Sequence, residues 1–172
     1  MFELTTGIGF RGHKGMKKIL DEILTSPRFL EGDAWQKRWY KANEKVIEKG
    51  DIGNSLFLLE EGLLRVLGGA EVEGKVKVNP GLCDLDVGAL FGDICLYAEH
   101  RRTASVIALT DACIIEIRSD RLSGYLDNHP AQGYLFLKEL FKVMSQRVEL
   151  ANERIENLLA WGIKAHDIDK YL

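Results

Sequence analysis

The sequence predicts an α+β protein that is mainly β, with an antiparallel sandwich or barrel between a short N-terminal helix and a long C-terminal helix. Two observations support this fold class. From about residue 36 to 118, short apolar runs are separated by Gly, Asn, Asp and Pro, which is typical of closely spaced strands. Helical periodicity appears before and after this region. Greek-key and jelly-roll connections are common in small antiparallel domains.

The N-terminal helix is predicted over residues 13–25, "HKGMKKILDEILT". Its apolar residues recur at helical spacing, which places them on one face. They are Met16, Ile19, Leu20, Ile23 and Leu24. The segment is therefore expected to form a short amphipathic helix.

Five runs indicate the strands, and two residues after the last run indicate helices. The runs are "KVIEKG", "SLFLLEEG", "LLRVLGG", "KVKVNPG" and "ACIIEIRS". Ser119 is a suitable N-cap for a helix after the last strand, because Ser side chains accept hydrogen bonds from free backbone N–H groups. Pro130 suits the first position of the final helix.

The final helix carries the clearest periodicity in the chain. Apolar residues recur at alternating steps of four and three, which is the heptad spacing of a coiled coil. They are Leu137, Phe141, Met144, Val148, Ala151, Ile155 and Leu158, here called the seam. The first two turns are expected to pack on the domain, whereas the later seam residues need a partner because so long a helix overhangs a small β domain. This predicts a homodimer through parallel C-terminal helices.

Length and composition limit the remaining possibilities. The 172 residues suffice for one domain, divided here into an N-terminal segment (1–30), a β domain (31–128), a helix (129–160) and a short tail (161–172). The net charge of -3 gives no general attraction to nucleic acid. No apolar run is long enough for a membrane span, and no signal peptide is evident. Three cysteines without a C-x-x-C spacing favour a reducing cytoplasm over a disulfide framework or a zinc site.

One stretch, "FGDICLYAEHRRTASV" (91–106), combines glycine, an acid and two arginines with apolar residues. A short helix beginning at "GDICL" would present free backbone N–H groups near Gly92, Asp93 and Ile94, which favours an anion. A strand arginine could bind two oxygens of a phosphate. Asp93 cannot bind phosphate, but it could accept a hydrogen bond from a ribose hydroxyl. From the residues alone, a nucleotide pocket and an ordinary surface loop both remain open.

The same stretch resembles the phosphate-binding cassette of the cyclic nucleotide-binding domain family, F-G-E-(L/I)-A-L followed by P-R-(A/T)-A-(T/S)-V. Eight residues match this pattern without a gap: Phe91, Gly92, Ile94, Leu96, Arg102, Ala104, Ser105 and Val106. Upstream, "NEKVIEKGDIGNSLFLLEEGLLRV" is similar to the family's first motif, with Gly50, Asp51, Leu56, Phe57, Gly62 and Val66 at matching places. Asn43 stands for a glycine in a left-handed turn. The resemblance implies a jelly-roll β-roll (a double-stranded β-helix) between the two helices.

The resemblance also implies a ligand, cAMP or cGMP, and no further cofactor or metal. Arg102 would bind the cyclic phosphate, and Gly92, Ile94 and Cys95 would line the sugar and phosphate. Asp93, where the family has Glu, would bind the ribose 2′-hydroxyl. Thr103 stands where cGMP-selective relatives carry a Thr, and Arg101 replaces the usual Pro, as in channel-type relatives. The choice of base stays open, with a slight preference for cAMP.

The C-terminal helix supplies one further predicted contact, and three non-enzymatic functions are considered. The segment "NERIENL" is similar to the end of the dimer helix in the catabolite-activator branch of the family, and this resemblance implies that Asn152 contacts the base, from the partner subunit in a dimer. The favoured function is a non-enzymatic sensor that signals by moving its C-terminal helix to an unidentified downstream protein. The tail "WGIKAHDIDKYL" is too short for a helix-turn-helix domain, so we expect no direct DNA binding. A relative of transcription regulators that lacks their DNA-binding domain is an alternative. A dimeric adaptor that has lost its ligand remains an alternative because of Asp93.

An enzyme is the function class that the sequence supports least. Metal-dependent jelly-roll enzymes use paired histidines and a carboxylate on adjacent strands. The four histidines are His13, His100, His129 and His166. None forms an H-x-H pair, and no Ser-His-Asp or phosphate-loop pattern is present. We therefore expect no catalysis.

Overall fold

The structure is a computed structural model that describes residues 9–10, 12–72, 76–78, 80–97 and 99–165. It is mainly β, as predicted. The strands are β1 (Gly9–Phe10), β2 (Trp35–Tyr40), β3 (Lys45–Ile47), β4 (Ile52–Gly53), β5 (Ser55–Glu61), β6 (Leu64–Leu67), β7 (Ala70–Val72), β8 (Val76–Val78), β9 (Gly81–Leu85), β10 (Leu90–Phe91), β11 (His100–Arg101), β12 (Ser105–Ala108) and β13 (Ala112–Arg118). The helices are α1 (Lys14–Leu24), α2 (Ser119–Asn128) and α3 (Pro130–Ala165), with a one-turn 3-10 helix at Asp93–Cys95.

Two main sheets form the β-roll. The five-stranded sheet has the order β1-β9-β6-β12-β3, and the four-stranded sheet has the order β10-β5-β13-β2. The pairs β11-β4 and β7-β8 form two further two-stranded sheets. Among the pairs of described strands, β1 and β9 run parallel and the others antiparallel. Neighbours in each sheet are distant in sequence, as a jelly roll requires, so the predicted β-roll is confirmed.

Strand β5 separates two hydrophobic cores. Leu56 and Leu58 belong to the core beneath the helices, whereas Phe57 and Leu59 belong to the core inside the roll. Successive side chains of a strand point to opposite faces. The uninterrupted apolar run in "SLFLLEEG" is thus explained by burial of both faces of this strand.

Local backbone predictions succeed where one residue type decides the geometry. Asn43 has φ 71°, and it is the single non-glycine residue with positive φ in the described part of the chain. Pro130 is the first residue of α3, as predicted. The helix ends at Ala165, five residues later than the boundary of 160 expected from the sequence.

Helix α1 also follows the prediction. Met16, Leu20 and Ile23 are buried, and Ile19 and Leu24 pack against the same core. The amphipathic pattern therefore marks the face of α1 that covers the roll.

The face of α3 that packs on the domain differs from the prediction. Phe136, Leu140 and Val143 are buried, whereas Leu137 and Phe141 are 42% and 73% exposed. The expectation that the first two seam turns pack on the domain is therefore wrong. The buried residues precede the seam residues by one position, which rotates the packed face by about 100° around the helix.

The predicted cap of α2 is also wrong. Ser119 is the first residue of the helix, Arg118 occupies the cap position, and no side chain caps the helix. Strand β13 continues directly into α2, so Ser119 is buried, and its backbone N–H donates to the carbonyl oxygen of Asn54 at 2.9 Å. Its hydroxyl has no partner within the described ranges. Asp120 supplies the negative charge that favours a helix N-terminus.

Among the described residues, no helix is long and apolar enough to cross a bilayer.

Candidate functional site

A cavity of about 200 Å³ lies between the roll, the segment 91–106 and α3. Ile47, Val66, Leu85 and Val106 form much of its apolar wall. Cys83 belongs to the same wall, and burial raises the pKa of its thiol to about 11. This thiol is neutral near pH 7, so the wall is uncharged. An apolar wall of this kind suits a flat aromatic group.

Gly92 shapes the polar end of the cavity. It follows β10, which pairs with β5 so that Phe91 faces Phe57. Its φ of 71° favours glycine, and an added Cβ would lie 2.8 Å from Nη1 of Arg102. A larger residue here would therefore strain the backbone and displace the arginine.

The predicted short helix after Gly92 is a single 3-10 turn at Asp93–Cys95. Ile94 is half-exposed, and Cys95 is buried. The turn ends at its cap residue Leu96, so it is shorter than the helix expected from "GDICL". Both Ile94 and Cys95 line the cavity.

The two sequence motifs meet at the backbone of Arg102. Its N–H donates to the carbonyl oxygen of Asp51, and its own carbonyl oxygen accepts from the N–H of Gly50, each at 2.8 Å. Next to these bonds, β4 pairs with β11. Gly53 lies so close that an added Cβ would overlap the Arg102 guanidinium. The glycines and Asp51 of the first motif thus position the arginine of the second.

Oxygen atoms of Ser55 and Gly92 hold the Arg102 guanidinium in place. Nη2 donates to the backbone oxygen of Ser55 at 2.9 Å and to its hydroxyl at 3.3 Å, and Nη1 donates to the backbone oxygen of Gly92 at 3.4 Å. Nη1 also lies 3.5 Å from the Cys95 sulfur. The guanidinium carbon lies 5.2 Å from the centre of the Phe57 ring. A partly buried cation with so many neighbours has little rotational freedom.

Asp93 is bound to the C-terminal helix. Nη1 of Arg147 donates to both carboxylate oxygens at 2.8 and 2.9 Å, and Nη2 donates to the backbone oxygen of Leu90 at 2.5 Å. The Asp93 side chain is 4% exposed and that of Arg147 is 27% exposed. This ion pair is the polar connection between α3 and the cavity.

Arg147 is the site residue that sequence reasoning missed. In the sequence it is one of several charged residues that flank the seam. The helical spacing of the buried residues of α3 leads to Arg147, since steps of four, three and four connect Phe136, Leu140, Val143 and Arg147. An arginine on the buried face of a helix needs an acidic partner.

The predicted site residues divide into two groups. Gly92, Asp93, Ile94, Cys95, Arg102 and Thr103 all line the cavity, together with Arg101. Asn152 does not line it, and is exposed on α3 about 7.5 Å along the axis beyond Arg147. Its predicted role depends on a partner subunit and stays a prediction.

The histidines are dispersed. His13 contacts Gln146, and His129 contacts the backbone oxygen of Tyr125. His100 belongs to β11, and His166 lies outside the described residues. Within the described ranges, no cluster of His, Cys, Asp and Glu has the arrangement of a metal site.

The roll, the glycine-shaped turn and the inward arginine define a domain of the cyclic nucleotide-binding class. The model of the family described as the cyclic nucleotide-binding domain matches residues 37–129, which is more than half of the chain. This chain therefore belongs to the cyclic nucleotide-binding domain family.

Two solved structures show the same fold. A cyclic nucleotide-binding domain from Methylobacillus flagellatus has a TM-score of 0.65 and 22% identity, and the match covers 82% of this chain and 80% of that one. The catabolite activator protein of Thermus thermophilus has a TM-score of 0.61 and 24% identity, covering 77% of this chain and 63% of that one.

Curated relatives are longer proteins. Glutaminase 2 of Bradyrhizobium diazoefficiens is 28% identical over 87% of this chain and 22% of that protein. The mouse cyclic nucleotide-gated channel beta-3 is 31% identical over 63% of this chain and 15% of that protein. The chain thus spans less than a quarter of the length of these relatives.

Proposed function

We propose that this chain binds a 3′,5′-cyclic nucleotide, cAMP or cGMP, and acts as a regulatory sensor without catalytic activity. The observation that carries the proposal is the anchored guanidinium of Arg102 at the polar end of an apolar cavity. An arginine offers paired donors that match two phosphate oxygens. The cavity wall is suited to the purine.

In this proposal the phosphate lies against Arg102 and the turn formed by Gly92, Ile94 and Cys95. The ribose lies near Asp93. The base lies against the apolar wall, with Thr103 at its edge. The hydroxyl of Thr103 is compatible with either purine, and the slight preference for cAMP stays a prediction.

Asp93 connects ligand binding to α3. A ribose 2′-hydroxyl that donates to the Asp93 carboxylate competes with Arg147 for the same oxygens. The ligand then favours a position of α3 in which the ion pair is altered. Such a change requires only that the nucleotide bind the two helix positions with different affinity.

The signal would pass through the seam. Leu137, Phe141, Met144, Val148 and Ile155 are all exposed on the single chain, and their heptad spacing matches that of a parallel helix pair. We propose that two copies associate there, and that a shift of α3 changes how they meet. The downstream partner is unidentified, no direct DNA binding is proposed, and a cytoplasmic location stays a prediction.

A second candidate is a dimeric adaptor that does not bind nucleotide. The observation in its favour is that Arg147 already engages both oxygens of the buried Asp93. In that case the ion pair would hold α3 permanently on the roll, and the seam would carry the function.

Calorimetric titration with cAMP and cGMP distinguishes the two candidates. Mass spectrometry should first exclude co-purified nucleotide. Truncating one partner of a buried charged contact costs about 2–5 kcal/mol, so Arg102→Ala should weaken binding by roughly thirtyfold or more.

Arg121→Ala is the matched control, because its ion pair with Asp33 is on the surface. Wild-type protein that binds neither nucleotide would favour the adaptor. Equal affinity of Arg102→Ala and wild type would refute the proposed phosphate site.

A further inference from the structure

A chain of polar groups continues behind Arg102, away from the cavity. Nη2 of Arg102 donates to the hydroxyl of Ser55 at 3.3 Å, and this hydroxyl donates to Oε1 of Glu116 at 3.3 Å. Ser55 is only 4% exposed. A serine hydroxyl has one proton and two lone pairs. It can therefore donate to Glu116 and accept from Arg102 at the same time.

Strand register explains why Glu116 lies there. Glu116 on β13 pairs with Phe57 on β5 and with Gln36 on β2. Directly paired residues share one face of the sheet. Ser55 precedes Phe57 by two positions, so it lies on that face as well. The Glu116 carboxylate is thus a diagonal neighbour of Ser55 and a cross-strand neighbour of Phe57. The ring of Phe57 lies under the Arg102 guanidinium.

The two oxygens of Glu116 have different partners. Oε2 accepts from Nε2 of Gln36 at 2.9 Å and from Nε of Arg38 at 3.0 Å. Oε1 accepts from Ser55. Because Gln36 and Arg38 of the edge strand β2 hold Oε2 of Glu116, its Oε1 points toward the Ser55 hydroxyl.

We propose that Glu116 is a positioning residue for Arg102 and acts through Ser55. The negative charge of Glu116 orients the Ser55 hydroxyl so that its lone pairs face Arg102. Hydrogen bonds that run in one direction strengthen each other in a region of low dielectric. Glu116 thereby fixes the direction of the Arg102 guanidinium toward a phosphate, although it does not line the cavity.

Glu60 offers a matched control on the same sheet. It pairs with Lys37 at 2.7 Å, and its side chain is 28% exposed, compared with 24% for Glu116. Glu60 contacts Lys37 and Cys113 rather than Ser55 or Arg102. Glu60→Gln therefore removes a similar charge and ion pair without touching the polar chain.

The first test needs no ligand. The Nε–Hε cross-peak of Arg102 is recorded by NMR and assigned by its loss in Arg102→Lys. We expect Glu116→Gln and Ser55→Ala to shift this peak, and Glu60→Gln to leave it in place. An unshifted peak in Glu116→Gln would overturn the inference, and so would an equal shift in Glu60→Gln.

The second test rests on the proposed function. We expect Glu116→Gln to weaken cAMP binding about fivefold, because a neutral amide oxygen accepts the Ser55 hydrogen bond more weakly than a carboxylate does. The Ser55→Ala/Glu116→Gln double variant should bind like Ser55→Ala. The affinity ratio of the two phosphorothioate diastereomers of cAMP should change in Glu116→Gln but not in Glu60→Gln. A purely structural Glu116 would leave this ratio unchanged.

The two tests separate the possible failures. Wild-type protein that binds no cyclic nucleotide refutes the proposed function, while the Arg102 cross-peak still decides the positioning role. Additive losses in the double variant would show that Glu116 does not act through Ser55.

Discussion

We predict that removing Arg147 from its ion pair with Asp93 lowers the free energy of unfolding more than removing Asp93 does. Arg147→Gln leaves a carboxylate that is 4% exposed without its cation. Breaking a buried pair in this way costs about 3–5 kcal/mol of folding free energy. Because Arg147 is partly exposed, water enters the site, and we expect about 3 kcal/mol.

Asp93→Asn should cost less, about 1–2 kcal/mol. The remaining arginine is 27% exposed and keeps its hydrogen bond to the Leu90 backbone oxygen. A charged donor that retains one acceptor and reaches water loses less than a fully buried charge. The double variant, with two neutral amides, should be more stable than Arg147→Gln alone.

Urea unfolding of wild type, both single variants and the double variant measures these differences, and the cycle isolates the coupling. Arg121→Gln is the control, since its pair with Asp33 has exposed fractions of 48% and 55%. Such surface pairs contribute about 0–1 kcal/mol. Arg147→Gln that costs no more than Arg121→Gln would refute the reasoning, as would an Asp93→Asn variant less stable than Arg147→Gln.

Three further predictions concern the ligand and the seam. A hydrogen bond to a charged group contributes about 1.5–3 kcal/mol, so 2′-deoxy-cAMP should bind more weakly than cAMP while Asp93→Glu keeps or improves affinity; equal calorimetric affinities would show that Asp93 does not contact the ribose. Cyclic nucleotides should be recovered intact after incubation, and chromatographic detection of 5′-AMP or 5′-GMP in proportion to pure protein would contradict this. Met144→Glu with Ile155→Glu places like charges in the seam and should give a monomer that still binds nucleotide. Equilibrium sedimentation measures the oligomeric state. A wild type that is monomeric at high concentration would leave α3 as an intramolecular lid.

The fold and six of the residues that line the cavity could be predicted because their signals are local. A left-handed turn accepts few residue types, which explains Asn43. Pro130 begins α3 because its missing N–H costs nothing there. The lining residues from Gly92 to Thr103 lie within twelve positions of the sequence, so one short motif contains them.

The predictions that failed depend on how elements meet. Ser119 has the chemistry of a cap, but the continuation of β13 into α2 buries it instead. Leu137 and Phe141 have the spacing of a packed helix face, yet the neighbouring face of α3 is the one that covers the roll. The spacing of apolar residues shows which faces of a helix are apolar. The positions of α1 and the roll decide which of these faces is buried.

The sequence by itself determined a mainly β roll between two helices and the cassette from Phe91 to Val106. The roll and the helices follow from the spacing of apolar and turn residues, and the cassette follows from its resemblance to the motif of the cyclic nucleotide-binding domain family. Only the tertiary structure decided that Arg147 meets Asp93 and that Glu116 reaches Arg102 through Ser55. Asp93 and Arg147 are 54 residues apart in the chain, Ser55 and Glu116 are 61 apart, and Ser55 and Arg102 are 47 apart. Contacts over such separations are set by strand register and helix docking, which no local pattern specifies.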